Sequence, residues 1–360
     1  MYRILAVNPG STSTKVAVYQ CGEEILNENI PVDQGLISTY NSVLDQLEHR
    51  FNLVKGVLLD NDLPPDMFDA VVGRGGLLAP IPSGTYVVTE EMTDYLKEAP
   101  RGEHASNLGA FIAKKFADMA DCDAFVVDPV SVDELTEVAR ISGAPEIKRP
   151  SLVHALNQKA VARKVAADIG KKYEDCRFVV AHLGTGITIG AHCNGKIVDV
   201  VGAKADGPFS SERAGGLPVD ELVDLIFSGK YTKEELKKKL LSKWGLVAYL
   251  GTRDIREVFK MAKNDPQAAI ILEAFVYQIA KGIGELCTVL DGEIDSVILT
   301  GGMAYSDRLM KMLIKKIKFL APITIIPGEN EMEALFKGVE RVLEREENAR
   351  LYPSGEFIDF

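Results

Sequence analysis

The sequence is poor in cysteine, and its five cysteines are scattered along the chain. None of them has the C-x-x-C spacing that is typical of zinc sites, and an odd, dispersed set does not indicate a disulfide framework. Such thiols are typical of a reducing compartment. No apolar run approaches the ~18 residues that a membrane-spanning helix needs, and no signal-peptide pattern is present. These absences predict a soluble cytoplasmic protein without a membrane partner.

Positive charge is also scarce, because 41 Lys and Arg residues face 52 Asp and Glu residues and give a formal net charge of −11. A surface this acidic disfavours polyanions, so we expect no nucleic-acid partner. Small anions need only a local positive charge, and the composition leaves that class of ligand open. The length of 360 residues is sufficient for two domains with a sizeable core.

The first strong pattern is a hairpin whose turn is rich in small hydroxyl residues. The stretch N-P-G-S-T-S-T-K at 8–15 lies between two apolar runs, which predict strands. Turn amides, hydroxyls and a nearby ammonium group are what proteins place around a phosphate. The chain continues into a strand instead of a helix, so this is not a Walker A loop; an ordinary serine-rich turn is the alternative. The residues assigned to phosphate binding are Asn8, Gly10, Ser11, Ser13 and Lys15.

A second hairpin repeats the first. Its turn, H-L-G-T-G at 182–186, again follows an apolar run, and His182 lies 174 residues after Asn8. A period of half the chain predicts two homologous domains, since solenoid repeats are only ~20–50 residues long. We therefore expect domains over 1–150 and 151–340, with a helix near 340–360 completing the first domain. Two such turns would grip one polyphosphate. The second set of phosphate-binding candidates is His182, Gly184, Thr185 and Gly186.

The rest of the chain alternates between helical and strand patterns, which predicts an α/β architecture with mixed sheets. The predicted helices cover 43–58, 106–120, 151–169, 218–228, 232–242, 254–263, 266–290 and a segment beginning at 331. The predicted strands cover 69–73, 124–127, 296–299 and 324–326.

Several polar or glycine residues follow predicted strands, where α/β proteins bind ligands. Gly301 and Gly302 would allow a ligand close to the backbone, or would simply form a turn. Asp128 would organise a metal or accept a proton, with a helix N-cap as the alternative. Glu331 would hold magnesium or would only complement the dipole of the last helix.

Two arginines stand among glycines or in an S-S-E-R-A-G-G segment, where a guanidinium suits bidentate recognition of carboxylate or phosphate. These are Arg74 and Arg213, and surface ion pairs are the alternative for each. His154 lies on a predicted helix, where a structural role is as reasonable as a catalytic one. His49 and His192 are assigned structural roles.

Taken together, these motifs resemble the acetate and butyrate kinase family of the actin-like ATPase superfamily, over nearly the whole chain. The variants present here are similar to those of the butyrate and branched-chain carboxylate kinases within that family. The segments that carry the resemblance are N-P-G-S-T-S-T-K (8–15), V-V-G-R-G-G (71–76), H-L-G-T-G (182–186), S-S-E-R-A-G-G (210–216), L-T-G-G-M (299–303) and E-N-E-M-E-A-L (329–335).

The resemblance implies two duplicated ribonuclease-H-like (actin-like ATPase) domains with mixed sheets and a cleft between them. It implies ATP-dependent phosphorylation of a short-chain carboxylate, such as butyrate, isobutyrate or another branched acid, to the acyl phosphate. ATP or ADP and Mg²⁺ are the implied cofactors, and a homodimer or higher homo-oligomer is the implied assembly. Acetate or propionate kinase activity is the nearest alternative, followed by a sugar or hydroxy-acid kinase and by a chaperone-like ATPase switch.

The resemblance also assigns roles. The two hairpin turns bind phosphate, Arg74 and Arg213 hold the carboxylate and the transferring phosphoryl group, and Asp128 and Glu331 organise magnesium. The adenosine is assigned to Asp254, Arg256, Gly301 and Gly302. His182 and His154 join the catalytic set, although the family's second histidine falls near Asn157, so that the phosphoryl contact is left open between His154 and Asn157.

Overall fold

The computed structural model describes residues 2–202 and 204–358. It divides the chain into two compact units, each with its own sheet. The first unit contains Met1–Asp133 and Asn330–Phe360, and the second unit is Glu134–Glu329. The last helix of the chain therefore belongs to the unit in which the chain begins.

The boundary lies earlier than the proline-rich segment at 145–150, where the sequence suggests it. Residues 134–150 pack within the second unit because Arg149 ties them to its sheet. Its guanidinium donates to Asp199 at 2.8 Å and to the carbonyl of Val200 at 2.9 Å. The prolines thus mark a loop inside the second unit instead of a linker between units.

The central strands of both sheets contain apolar runs that are fully buried, such as Ile4 to Val7 in the first sheet and Phe178 to Ala181 in the second. The strands are β1 (Arg3–Pro9), β2 (Ser13–Gln20), β3 (Glu23–Pro31), β4 (Ala70–Arg74), β5 (Thr85–Val87), β6 (Asp123–Val127), β7 (Arg177–Leu183), β8 (Ile187–Cys193), β9 (Lys196–Gly202), β10 (Ser296–Gly301), β11 (Ile323–Pro327), β12 (Ala349–Arg350) and β13 (Phe357–Ile358).

Several helices begin at residues whose side chains cap them, for example Thr89, Thr232 and Asp265. The helices are α1 (Gln34–Ile37), α2 (Leu47–Asp60), α3 (Glu90–Glu98), α4 (Leu108–Ala120), α5 (Glu137–Arg140), α6 (Ala155–Asp168), α7 (Val219–Phe227), α8 (Lys233–Ser242), α9 (Leu246–Leu250), α10 (Ile255–Met261), α11 (Pro266–Val289), α12 (Asp307–Ile317) and α13 (Glu331–Leu343). Among the residues that the structure describes, no helix has both the length and the apolar character to cross a membrane.

The five strands of the second sheet are arranged like the last five of the eight strands of the first sheet. The first reads β13-β12-β5-β6-β4-β1-β2-β3, and the second reads β11-β10-β7-β8-β9. In each, a hairpin strand pairs antiparallel with the next strand and parallel with a later one, β4 beside β1 and β10 beside β7. The start of β7 at Arg177 follows the start of β1 at Arg3 by 174 residues. The predicted duplication of an α/β fold with mixed sheets is confirmed.

Helices cover both faces of the second sheet. Alternate residues of β7 point to opposite sides, so that Val179 and Ala181 join the core beneath α11, while Phe178 and Val180 join a core beneath α6. Helix α6 itself begins at Ala155, four residues later than predicted, because residues 151–154 are not helical. His154 therefore lies immediately before the first turn of the helix.

Most of the predicted helices are present, and α12 is the main omission. The sequence-based assignment contains no element between 303 and 323, although Leu309, Met310 and Leu313 have helical spacing and are buried. The helix begins at Asp307, shortly after the turn that contains Gly302, and the sequence-based assignment treated this region only as that turn.

The glycines of V-V-G-R-G-G are explained by close approach of the backbone. A Cβ atom on Gly73 would lie 2.1 Å from the carbonyl oxygen of Gly109 in α4, and one on Gly75 would lie 2.5 Å from Cβ of Pro129. Strand β4 and helix α4 therefore meet backbone to backbone, with no room for a side chain. This contact sets the position of Arg74.

We predict that Gly73→Ala lowers the free energy of unfolding by at least ~2 kcal/mol, because a backbone oxygen cannot move aside as a side chain can. Gly56→Ala is the matched control, since a Cβ atom there would meet nothing within 4 Å. It lies inside α2 and should stabilise the protein by about 0.5–1 kcal/mol. Denaturant unfolding of both variants tests this, and equal effects of the two substitutions would contradict the close-packing explanation.

Candidate functional site

The first hairpin turn has the form that the sequence predicts. Gly10 closes it by donating its N–H to the carbonyl of Ser13 at 2.7 Å. Ser11 and Thr12 are exposed at its tip, while Asn8 is buried and paired across the hairpin with Lys15. The turn therefore presents hydroxyl and amide groups to solvent, with an ammonium-bearing strand beside it, as a phosphate-binding turn requires.

A residue that the sequence reading missed supports this turn. Arg50 of α2 is 1% exposed, and its guanidinium donates to Thr14 Oγ1 at 2.9 Å, to the Ser13 carbonyl at 3.4 Å and to Gln46. Its hydrogen-bond acceptors are uncharged, and burial lowers its pKa. A positive charge thus lies behind the turn. The signal in the sequence was an arginine within the apolar face of a helix, next to Phe51.

Three predicted site residues meet at one edge of the first sheet. Strands β1, β4 and β6 are parallel neighbours, so their carboxyl ends lie side by side. Asn8 is near the end of β1, Arg74 ends β4 and Asp128 follows β6. Open α/β sheets bind ligands at such an edge. The structure therefore brings together three residues that the sequence analysis selected separately, each at or after the end of a strand.

Glu331 joins this edge from the first turn of α13. Its carboxylate accepts from Asn8 Nδ2 at 2.6 Å and from Arg74 Nη1 at 2.9 Å, and the ion pair measures 2.8 Å to the other oxygen. The side chain of Glu331 is 6% exposed and that of Arg74 is 23% exposed. Glu331 therefore orients the guanidinium and the amide, a role that the sequence did not suggest for it.

Asp128 does not cap a helix, which was the alternative considered for it. Its backbone has a positive φ of 38°, and one carboxylate oxygen accepts the N–H of Gly84 at 2.8 Å. The residue is 3% exposed. A non-glycine residue with this φ is uncommon and is found at functional sites held by their surroundings. The carboxylate is thereby fixed at the sheet edge.

The second turn packs directly against Arg213. A Cβ atom on Gly186 would lie 2.1 Å from Arg213 Nη1, so glycine is required for the guanidinium to lie on the turn. Burial lowers the pKa of Arg213, and nearby Glu212 opposes that shift. Within the described part of the chain, the buried Nε atom of Arg213 has no hydrogen-bond acceptor. A buried donor without an acceptor is what an anionic ligand would satisfy.

Two histidines stack beside the second turn. The rings of His154 and His182 are 4.0 Å apart between centroids and are nearly parallel, at 15°. His182 Nδ1 lies 2.7 Å from Asn157 Oδ1, and the amide of Asn157 donates to the carbonyl of Glu329 at 2.6 Å. A Cβ atom on Gly184 would come within 2.9 Å of His182 Nε2. Asn157 therefore contacts His182, which lies beside the turn, and His154 is connected to the turn through its stack on His182.

A cavity of about 460 Å³ opens beside the same turn. Gly184 and Thr185 form one end of its wall, and the predicted residues Asp254, Arg256 and Gly302 form another part. Gly301 does not line the cavity, because it faces the backbone of β7. The other lining residues, which the sequence reading did not select, are Ser211, Arg253, Ile255, Met303, Tyr305, Ser306 and Glu329.

Asp254 and Arg256 form one tight unit at the start of α10. The Asp254 carboxylate accepts from the Arg256 backbone at 2.8 Å and from its guanidinium at 2.6 Å. The side-chain and backbone hydrogen bonds of Arg256 lower the pKa of Asp254 to about 2. The D-x-R spacing therefore makes a rigid, charged rim on the cavity.

Comparison with known proteins identifies the family. Residues 147–347 match the model of the acetokinase family. Butyrate kinase 1 of Clostridium acetobutylicum is 47% identical over 354 residues, which cover 98% of this chain and 100% of that protein. The chain belongs to the acetate and butyrate kinase family. Butyrate kinase 2 of the same organism is 48% identical over 353 residues, which cover 98% of this chain and 99% of the relative.

Solved structures of the family share the fold. The acetate kinase of Porphyromonas gingivalis superposes with a TM-score of 0.75 at 18% identity, covering 94% of this chain and 99% of that one. A propionate kinase from Francisella tularensis gives a TM-score of 0.73 at 18% identity, with coverage of 93% and 98%. The family resemblance recognised in the sequence motifs is thus confirmed.

Proposed function

We propose that the protein transfers the γ-phosphoryl group of ATP to butyrate or a similar short-chain carboxylate, giving ADP and the acyl phosphate. Family membership supports the reaction class, and the butyrate kinases of Clostridium acetobutylicum support this acceptor. The main observation that supports nucleotide binding is the cavity of about 460 Å³, which is lined by the second hairpin turn and by Asp254, Arg256 and Gly302.

The cavity suggests how a nucleotide lies in the second unit. Its phosphates would meet the amides of the turn at Gly184 and Thr185, which line the cavity, since successive backbone N–H groups in a turn can form an anion-binding concavity. Its adenosine would lie toward Asp254 and Gly302, where glycine leaves the backbone uncovered. Tyr305 is 71% exposed and lines the same cavity, so that its ring is available to stack on the base.

The acceptor chemistry explains why the site needs cations and no general base. A carboxylic acid with a pKa near ~4 is already ionised at neutral pH, so its oxygen attacks without losing a proton. An alcohol would need a base for that proton, as in sugar kinases. The difficulty here is the approach of one anion to another, and fixed guanidinium groups relieve it.

We assign that electrostatic role to Arg74 and Arg213. Arg74 is held by Glu331 at 2.8 Å and by its glycine neighbours, which support it as an oriented fork for a carboxylate or phosphoryl oxygen. Arg213 lies directly against Gly186, and its buried Nε atom has no acceptor among the described residues. These two observations support Arg213 as the group that binds the negative charge of the substrates. Transfer then proceeds in line, without a covalent enzyme intermediate.

Magnesium is part of this proposal through two carboxylates. The described residues contain no group of three or more His, Cys, Asp or Glu side chains that would bind a metal alone. Mg²⁺ commonly takes only one or two carboxylates and completes its shell with water and substrate phosphates. Asp128 fits as the direct carboxylate, and Glu331, already bound to Arg74, fits through water. Bound Mg²⁺ would neutralise charge on the phosphate oxygens.

We also propose a cytoplasmic homo-oligomer. All five cysteines are unpaired, in keeping with a reducing compartment. Helix α7 has no buried residue, and its apolar side chains Val219, Val223 and Phe227 are 75%, 43% and 84% exposed. A helix whose apolar side chains are exposed to solvent supports contact with a second copy of the chain, which would bury them.

The function is tested by trapping acyl phosphate with hydroxylamine in the presence of ATP and Mg²⁺. We expect acyl hydroxamate from butyrate and isobutyrate, with acetate and hexanoate as poorer acceptors. Each methylene changes discrimination by only ~1–3 kcal/mol in an apolar pocket, so the series should fall off gradually. Glycerol and hexoses serve as acceptors for the sugar-kinase alternative. ADP release with them, and no hydroxamate from any acid, would contradict the proposal.

The two arginines are tested separately from nucleotide binding. Arg74→Ala and Arg213→Ala should each lower kcat by about 10²–10³-fold, because each removes a fixed charge from the transferring group. The Kd for ADP, measured by calorimetry, should change little. Arg177→Ala is the matched control, since Arg177 begins β7 at the opposite end from the site and pairs with Glu293 at 2.7 Å. Near-normal kcat in either site variant would refute its role.

The nucleotide position is tested at Tyr305. Tyr305→Ala should raise the Kd for ADP about tenfold, since an aromatic stack on a base is worth ~1–3 kcal/mol. Tyr305→Phe keeps the ring and should bind ADP as the parent does. An unchanged Kd in the alanine variant would mean that the base lies elsewhere.

A further inference from the structure

A continuous set of buried hydrogen bonds leads from the interior of the second unit to His154. Tyr173 Oη lies 2.8 Å from His192 Nδ1, and His192 Nε2 lies 3.0 Å from Gln158 Oε1. The amide of Gln158 donates to Thr188, whose hydroxyl lies 2.8 Å from His154 Nδ1. We call these five residues the buried chain. Four of them were not selected as site residues, and each of those four is at most 6% exposed.

The direction of each hydrogen bond in the buried chain follows from Gln158. Its Nε2 atom lies 3.1 Å from the carbonyl oxygen of Thr188, which can only accept, so this atom must be the amide nitrogen. Gln158 Oε1 therefore faces His192 as an acceptor. His192 must carry a proton on Nε2, and its Nδ1 accepts the hydroxyl proton of Tyr173.

His192 stays neutral in this position. Burial, reinforced by the nearby ammonium group of Lys159, lowers the pKa of His192 to about 3. Lys159 is itself fixed by an ion pair with Glu134 at 2.9 Å, and by the carbonyl of Gly195 at 2.8 Å. The inner end of the buried chain therefore has one protonation state and one tautomer near neutral pH.

The outer end determines the proton position on His154. The hydroxyl oxygen of Thr188 accepts from Gln158 Nε2 at 3.1 Å and from the backbone N–H of His154 at 3.4 Å. These two donors use both of its lone pairs. Its single proton is then directed at His154 Nδ1, the remaining partner. Neutral His154 consequently carries its proton on Nε2.

His182 is held in the other tautomer by a separate contact. The amide of Asn157 donates to the Glu329 carbonyl at 2.6 Å, so Asn157 Oδ1 is the atom that faces His182. His182 Nδ1 must therefore carry the proton that this oxygen accepts. The Nε2 atom, which lies beside Gly184 in the second turn, keeps its lone pair while His182 is neutral.

We propose that the buried chain and Asn157 hold the stacked imidazoles of His154 and His182 in opposite tautomers, with Thr188 and Gln158 as positioning residues. The consequence for catalysis depends on the proposed phosphoryl transfer. His154 then offers a hydrogen-bond donor from Nε2 without being charged, and His182 offers an acceptor. Rings 4.0 Å apart need not both be protonated, which their mutual repulsion would oppose.

The tautomers are read directly by NMR of protein labelled with 15N-histidine, in the absence of substrates. The chain has five histidines, and single His→Gln variants assign their signals. At neutral pH we expect His154 and His192 as Nε2–H tautomers and His182 as the Nδ1–H tautomer. A His154 signal with the proton on Nδ1, or two identical tautomers for His154 and His182, would overturn the proposal.

Variants separate the two contacts. Thr188→Val removes the hydroxyl at nearly constant shape, and should shift His154 toward a mixture of tautomers while His182 is unchanged. Thr188→Ser retains the hydroxyl and should retain the parent tautomer. Asn157→Leu should affect His182 and leave His154 as it is. If Thr188→Val fails to fold, Gln158→Met is used instead. It removes the hydrogen bond from Gln158 to the Thr188 hydroxyl and should likewise shift His154 toward a mixture of tautomers. An unchanged His154 signal in the folded variants would refute the role of Thr188.

Kinetics test the consequence. Thr188→Val should lower kcat by about 10–100-fold, as loss of an orienting partner commonly does, with little change in the KM for the carboxylate. If Thr188→Val caused only a structural defect, its effect would not be confined to kcat. Thr188→Ser would then also fail to restore the parent value. A tautomer shift with unchanged kcat would refute the catalytic half. Failure of the protein to phosphorylate any carboxylate would refute the proposed function and leave the NMR result standing.

Discussion

Parallel pairing of a hairpin strand with a later strand is the constraint on which the candidate site residues of each unit depend. In the first unit, β1 aligns with β4, and in the second unit β7 aligns with β10. Parallel strands end at the same edge, so residues far apart in the chain, such as Asn8 and Arg74, become neighbours. Glycines let these strands pack closely on the neighbouring helix, as at Gly73 against α4. Small residues therefore do as much for the site as charged ones.

The two site arginines represent different solutions to the burial of a cation. Arg74 is compensated by Glu331 and remains partly exposed, so its charge is balanced before any ligand binds. Arg213 is pressed against Gly186 with an unsatisfied Nε atom among the described residues, and burial lowers its pKa. An anion would gain more at Arg213, because the desolvation of its guanidinium has already occurred. The difference supports the proposed division of roles, in which Arg74 orients a bound oxygen and Arg213 stabilises developing charge.

Local patterns in the sequence were sufficient for the hairpins, most helices and the glycine-bearing turns, since each depends on neighbours within one element. The duplication was found by comparing the two hairpin segments with each other. What these patterns could not supply was partnership across elements. Glu331 was expected at a metal, but only the fold shows that its carboxylate also binds Arg74 and Asn8. His192 was set aside as structural, and it is indeed buried, but only the fold reveals that Thr188 and Gln158 connect it to His154. Hydrogen-bond direction depends on three-dimensional neighbours, and periodicity carries no trace of it.

The duplicated hairpins show how one backbone acquires two chemistries. Asn8 and His182 occupy equivalent positions, and each directs a side-chain N–H to an oxygen: that of Glu331 for Asn8, and that of Asn157 for His182. An amide has a fixed donor, whereas an imidazole can exchange its proton between two nitrogens. Replacing the one by the other at the same strand end adds a choice of tautomer, and that choice must then be removed if the ring is to act reproducibly. In our proposal, the contact with Asn157 removes it for His182, and the buried chain, which includes Thr188 and His192 of β8, removes it for the stacked partner His154.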